Sequence, residues 1–282
     1  MTHILALIDG SVYTHSVCDH AAWAARQYGG DIELPHVLST QKSGALPTDL
    51  SGAIGLGARS SLLDDLVEHD ARTAQLDKER GRAILDAAQQ RLESQGIGNV
   101  SLALRTGEIA DSLVKRAGDL IVMGKRGEGA DFEKLHLGSN LERVVRAVHR
   151  PVLIASRTFK PIQHAVFAFD DGVSARKALD SLVQSPLADR PRITVFSVAE
   201  AGSDIARGGI AAAARLIKAG YEAVAKERPG HAEKIIAEET ERDDADLLIM
   251  GAYGHSRIRS LIIGSTTTAL IRSCAIPLLL FR

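Results

Sequence analysis

One pattern occurs twice in this chain and limits its fold more than any other feature. In the last third a strand-like run, Ala245-Asp246-Leu247-Leu248-Ile249-Met250, leads into Gly251-x2-Gly254-x9-Gly264-Ser265 and then into a helix-like segment ending at Pro277. Earlier, Asp119-Leu120-Ile121-Val122-Met123 leads into Gly124-x2-Gly127-x10-Gly138-Ser139. Glycine admits positive φ and close approach of backbone to an anion. A helix that begins just after such a turn directs free N–H groups and the positive end of its dipole at that anion. The chain therefore reads as one fold written twice, with one copy of the motif altered.

The remaining pattern supports two parallel halves. The first opens with Ile4-Leu5-Ala6-Leu7-Ile8-Asp9-Gly10-Ser11 and the second with Ala165-Val166-Phe167-Ala168-Phe169-Asp170-Asp171-Gly172. Continuous apolar runs of this kind belong to strands buried on both faces, as in parallel sheets. Each run ends in an aspartate and is followed by a helix, with Val17, Cys18, Ala21, Ala22 and Ala25 on one face of the first and Ala175, Ala178, Leu179, Leu182 and Val183 on one face of the second. Second strands fit Ile32 to Leu38 and Ile193 to Val198. A long helix follows in each half. In the second its stripe reads Ile210, Ala213, Ala214, Ile217, Tyr221 and Val224; in the first a loose stretch, Lys42 to Ser61, precedes a helical pattern to about Ser94. A third strand fits Ser101 to Arg105, and helix and strand compete over Tyr221 to Lys226. Short helices over Ala110–Ala117 and Ala232–Glu241 lead to the glycine-bearing strands, and Pro151–Ala155 and Pro277–Phe281 close the halves. Ser139-x-x-Glu142 has the spacing of a capping box.

Strand–helix alternation predicts parallel sheets with helices on both faces. Ligands then bind at the carboxyl ends of the strands, where strand order reverses. Asp9 and the first glycine turn, and Asp170 and the second, converge on such places. The connector between halves falls in Ser156 to Gln163, dividing the chain into 1–157 and 158–282.

Composition narrows the function. A formal net charge of −1 and four per cent aromatic residues argue against a nucleic-acid partner, which needs a basic excess or a stacking platform. No apolar run reaches membrane-spanning length, and no leader pattern precedes Met1-Thr2-His3-Ile4. Two cysteines, Cys18 and Cys274, form no disulfide framework or paired metal motif, and this usage fits a reducing cytoplasm. Among the other candidates, His36 reads as a packed core histidine and Gly52-x-x-Gly55-x-Gly57 as a loop without a preceding strand. His15, Cys18 and Asp19 have helical spacing near that of a metal site, but Cys18 falls on the core face, which argues against one. Glu238 to Asp244 reads as an exposed helix end, and His255 as solvated beside the glycine turn.

The quoted segments Ile4–Ser11, Asp119–Gly127, Gly138-Ser139 and Pro151-Val152-Leu153, with Asp246–Gly254, Gly264-Ser265 and Pro277-Leu278-Leu279, resemble the universal stress protein family in its tandem form. The resemblance implies α/β architecture: two tandem doubly wound five-stranded parallel-sheet domains, Rossmann-like and adenine nucleotide alpha hydrolase-like, packed as a pseudo-dimer. It implies ATP, with Mg²⁺ alongside it, between the first and fourth strands, and pairing into a homo-oligomer or an internal pseudo-dimer. Carried onto the second half, it places Asp170 at adenine or ribose, Val198 at the base and Met250 among the nucleotide-binding residues. Gly251 and Gly254 fall at ribose and α-phosphate, and Gly264, Ser265 and Thr266 at the outer phosphates, with Ser265 doubling as helix cap. Arg257 and Arg259 add positive charge there, whereas in the first half Lys125, Arg126 and Lys134 are offset by Glu128, Asp131 and Glu133. The second opening departs from the family's Asp-Gly-Ser by carrying Asp171, a carboxylate able to repel phosphate or to help hold Mg²⁺. The expected function is that of a cytoplasmic nucleotide-dependent regulator without a nucleophile–base pair. The alternatives are a nucleotide-free interaction scaffold and a binder of an apolar ligand in the first half.

Overall fold

A computed structural model describes residues 2–38, 56–114, 118–126, 138–252 and 264–282. The first half runs β1 (His3–Ala6), α1 (Thr14–Tyr28), β2 (Asp31–Leu38), α2 (Leu56–Ser94), β3 (Val100–Thr106), α3 (Ile109–Val114), β4 (Leu120–Gly124), α4 (Ser139–Ala147) and β5 (Val152–Ala155). The second repeats it as β6 (His164–Ala168), α5 (Val173–Gln184), β7 (Arg192–Ser197), α6 (Asp204–Lys218), β8 (Ala223–Glu227), α7 (Ala232–Arg242), β9 (Leu247–Gly251), α8 (Ser265–Ser273) and β10 (Leu278–Phe281).

All these strands form one ten-stranded sheet in the order β3-β2-β1-β4-β5-β10-β9-β6-β7-β8. Every pairing is parallel except the central one, where Leu278, Leu279 and Leu280 lie antiparallel to Ile154, Leu153 and Val152. All of β5 and β10 is buried. Two five-stranded halves thus share a seam of aliphatic side chains, and the pairing removes one exposed edge from each half. One apolar layer lies between the sheet and α1, α2, α5 and α6; the other lies under α3, α4, α7 and α8.

The registers give residue-by-residue equivalence. Ile4 pairs with Ile32 and Leu120, as Ala165 pairs with Ile193 and Leu247. Leu7 therefore corresponds to Ala168, Asp9 to Asp170, His36 to Ser197 and Gly124 to Gly251. His36 Nδ1 bonds the Ile8 carbonyl at 2.8 Å, and Ser197 Oγ donates to the equivalent Phe169 carbonyl at 2.9 Å. His36 is the buried, bonded core histidine its strand position predicts.

Two local expectations are corrected and one open alternative is resolved. The stripe of α6 is not the isoleucine one. Ala206, Gly209, Ala212, Ala213 and Leu216 face the sheet, while Ile210 and Ile217 are more than half exposed. A Cβ on Gly209 would lie 2.7 Å from Ser197 Oγ, so the helix sits too close to the sheet for its larger face. The competition over Tyr221–Lys226 resolves to strand β8, with Tyr221 buried just before it and Val224 exposed on the sheet edge. Helix α2 begins at Leu56, so the end of the stretch expected to be loose is helical; residues 42–55, including Gly52 and Gly55, lie outside the described residues.

Candidate functional site

A cavity of about 280 Å³ opens at the carboxyl ends of β6, β7 and β9, at the switch point of the second half. It is lined from three sides. Ala168, Phe169 and Asp170 come from the end of β6, Phe196 and Val198 from β7 and its extension, and Met250 and Gly251 from β9. Ala232 and Ile236 from α7 close one wall, and Gly264 to Thr267 at the start of α8 close another. Predicted site residues Asp170, Val198, Met250, Gly251, Gly264, Ser265 and Thr266 thus come together. Gly254, with His255, Arg257 and Arg259, lies outside the described residues.

The lining combines two chemistries. Phe196, Val198, Ala232, Ile236 and Met250 are apolar. Helix α8 contributes its first turn, whose amides have no acceptor within the helix. The helix N-cap is Gly264, so Ser265 is the first helical residue and not the cap predicted for it. The same shift applies to the other motif: Gly138 is the N-cap of α4, so Ser139 is the first helical residue and not the cap that the capping-box spacing predicts. In both halves glycine occupies the cap, leaving the serine within the helix.

Buried groups hold the mouth of the cavity. Thr267, 2% exposed, donates from Oγ1 to the Ala252 carbonyl at 3.1 Å, and the Ala252 amide donates to the Phe281 carbonyl at 2.7 Å. A Cβ on Gly251 would lie 2.8 Å from that of Ser174, so this glycine is required where β9 passes beneath the start of α5. Asp170 accepts the Gly172 amide at 2.9 Å and is the one titratable residue among the described residues that line the cavity. Asp171, at φ 59°, turns outward and forms a bidentate pair with Arg176, both distances 2.8 Å. The additional carboxylate of the opening turn thus faces a guanidinium on α5.

Helix α7 is anchored behind the cavity. Lys226 Nζ on β8 donates to Asp243 at 2.6 and 2.8 Å and to Glu239 at 3.2 Å. Glu239 is 2% exposed, so the acidic run expected to be solvated is in part a buried anchor. Burial pushes the Asp243 carboxyl up, but hydrogen bonds from Lys226 and Thr194 outweigh it and hold the group below the usual carboxylate range. Burial lowers the Lys226 amine, and the same carboxylates raise it above its ordinary value.

Other candidates are absorbed by packing. Asp19 is bonded to Arg91 at 2.8 and 2.7 Å and to Gln95 at 2.6 Å. Cys18 is fully buried, and burial pushes its thiol up to about 12. Among the described residues no group of three or more His, Cys, Asp or Glu could hold a metal ion, and no helix is long and apolar enough to cross a membrane.

Several lining residues escaped the sequence reading: Ala168, Phe169, Phe196, Ala232, Ile236 and Thr267. A usable signal for three of them was the alignment of the halves. Leu7 stands where Ala168 does, Ile109 opens α3 where Ala232 opens α7, and Leu141 replaces Thr267. Leu7 and Leu141 are buried and Ile109 packs on the same apolar layer, so larger side chains occupy the corresponding places in the first half.

Comparison with known proteins agrees with this architecture. The model of the universal stress protein family matches residues 1–156 and again 161–282. The chain is 38% identical over 289 aligned residues, covering all of both proteins, to Universal stress protein Slr1230 of Synechocystis sp.. Among solved structures it is similar to a universal stress protein from Archaeoglobus fulgidus, with TM-score 0.70 and 21% identity over 100% of this chain and 96% of that one. It is also similar to a putative universal stress protein from Pseudomonas aeruginosa, with TM-score 0.63 and 14% identity over 100% and 93%.

Proposed function

Because the chain belongs to the universal stress protein family, we propose that it is a stress-response regulator that binds ATP, with Mg²⁺, in the cavity of its second half. The observation that carries this reading is the mixed lining of that cavity. Its apolar side chains, Phe196, Val198, Ile236 and Met250, suit a flat base, and the start of α8 offers first-turn amides to phosphate. Asp170, in the same lining, serves as an acceptor for ribose or base. Its volume falls just below the ordinary range for small-molecule pockets, about 300–1,000 Å³. Gly254, Arg257 and Arg259 belong to this reading through the sequence motif alone. Mg²⁺ would be held by the phosphates themselves, since Asp171 is paired with Arg176.

The proposed units are 1–157 and 158–282, the proposed compartment is the cytoplasm, and the proposed regulatory step is a change in contacts with partners or a second copy when ATP is bound. With Asp170 the one titratable lining residue among those described, the reading includes no dedicated catalysis and at most slow hydrolysis set by positioning. The test is to denature freshly purified protein, identify released small molecules by mass spectrometry, and titrate stripped protein with MgATP in thermal unfolding. Ligand at 100 times its Kd stabilises by about 2.7 kcal/mol. ATP near one equivalent and a saturable shift support the reading. A protein that carries no nucleotide and does not respond would be an interaction scaffold, and a released lipid would direct attention to the first half.

A further inference from the structure

The two ends of α8 are held by different halves of the chain. Its N-terminal end lines the second-half cavity and is fixed by the Thr267–Ala252 hydrogen bond. Its C-terminal end meets Lys125, which lies one residue past β4 in the glycine turn of the first half. The Lys125 ammonium donates to the carbonyl of Cys274, the C-cap of α8, and to that of Ile276 at 3.3 Å. A residue that the motif alone would assign to a phosphate loop therefore points across the seam. The opposite contact also exists: Arg282 donates to the carbonyls of Arg146 and of Val148, the C-cap of α4, the latter at 3.3 Å. Each half caps the last helix of the other with a cation.

We propose that Lys125 is a positioning residue for the second-half site, setting where the N-terminus of α8 sits and so tying ligand binding there to the glycine turn of the first half. This rests on the reading of that cavity as a nucleotide site. The physical basis is short-range. Helix α8 has nine residues, about 13 Å at 1.5 Å per residue, and a rod of that length held at both ends passes a shift from one end to the other. A cation on the last carbonyls satisfies them and complements the helix dipole. Arg282 holds α4 in the same manner, but α4 opens at the altered motif.

Lys125 can also lose its charge near neutrality. Burial pushes its amine down to about 8, with Cys274 opposing and Arg126 assisting. Among the described residues, the ionisable groups around it are Arg126 on its own turn, Cys274 at the end of α8 and, acting on that thiol, Glu241 of α7. The ammonium is present below that value and lost above it, so the tie weakens as pH rises from 7 to 9.

The experiment compares wild type, Lys125→Met and Lys125→Arg in MgATP titrations from pH 7 to 9. Amide hydrogen exchange of α8 is measured without nucleotide on the same proteins. Lys125→Met is expected to weaken ATP binding about tenfold at pH 7 and to speed exchange in the first turns of α8, with Lys125→Arg restoring both. Wild-type affinity falls across the pH range, while that of Lys125→Arg stays level. Wild-type affinity and wild-type α8 exchange in Lys125→Met overturn the proposal. If no protein binds ATP, the nucleotide reading fails, and the exchange data still decide the tie: faster α8 exchange rescued by arginine supports it, and unchanged exchange rejects it.

Discussion

The two halves share one topology and one register, yet only the second lines its switch point with small side chains. At the end of the first strand Leu7 stands where the second half has Ala168, at the start of the short helix Ile109 stands where it has Ala232, and in the first turn of the last helix Leu141 stands where it has Thr267. The backbone is the same device in both: an Asx turn at Asp9 or Asp170, a glycine at the end of the fourth strand and a glycine N-cap. Among the described residues, side-chain volume is what separates the halves at these three positions. The first half carries branched aliphatic residues there, and the second carries small or hydroxylated ones where its cavity opens.

The largest expected effect follows from exchanging one of these residues. Ala168→Leu, which copies Leu7, should abolish measurable ATP binding. A loss of a hundredfold or more corresponds to about 3 kcal/mol. Overpacking costs about 1–3 kcal/mol of stability, and the equivalent backbone already accommodates leucine, so the fold should survive. Isothermal titration with a parallel melt checks both. Full ATP affinity in Ala168→Leu would show that small side chains at this level are not what distinguishes the halves.

This contrast also explains how much was legible in the sequence. The strand–helix alternation and the internal duplication follow from long apolar runs and repeated spacing, which depend on few residues. Seven of the eight named site residues line the cavity, and the eighth, Gly254, lies outside the described residues. What escaped was governed by closeness of packing. The stripe of α6 was misassigned because hydrophobicity ranks isoleucine above glycine, whereas contact with Ser197 requires Gly209. Glu239 looked solvated because its partner, Lys226, is thirteen residues away on another element. Lys125 entered the sequence reading only as one of the loop's offset charges, because its cross-seam acceptors are backbone carbonyls, which no residue pattern marks.

The second test concerns the outer edges of the sheet. Lys226 on β8 binds two carboxylates, whereas the corresponding position on β3 is Ala103. Lys226→Met would leave Glu239 and Asp243 close together without their cation. Removing one partner of a buried pair costs about 3–5 kcal/mol. The ammonium is partly exposed, so about 2 kcal/mol is expected here. Urea unfolding measures it; an unchanged midpoint would mean that apolar packing alone holds α7.

A smaller effect separates the long helices. Gly209→Ala must displace Ser197 Oγ, 2.7 Å from the new Cβ, and with it the hydroxyl's bond to Phe169. Gly81→Ala meets Leu104 Cδ1 at 2.8 Å and His36 Cδ2 at 3.0 Å, of which the leucine methyl is the movable end of a side chain. Both gain about 1 kcal/mol of helix propensity. The expected net result is a loss of about 1 kcal/mol for Gly209→Ala and little change for Gly81→Ala. Equal losses would indicate that the two helices approach the sheet with the same tolerance.

The smallest effect is a pH dependence at the equivalent histidines. In the first half His3 meets Glu33 of β2 at 3.2 Å. In the second, Thr194 replaces that glutamate; it bonds His164 at 2.9 Å and donates to Asp243 at 3.0 Å. The carboxylate has thus moved from the strand to the end of α7, where Lys226 and Thr194 hold its pKa below the usual range. A depressed carboxyl contributes its stability in full above the unfolded value of about 4 and loses it as pH falls through the lower folded value. Wild type should therefore lose stability in melts taken below about pH 4, with a shallower acid slope in Asp243→Asn. Parallel acid slopes in the two proteins would assign the acid sensitivity to groups outside α7, with His3–Glu33 the next pair to test.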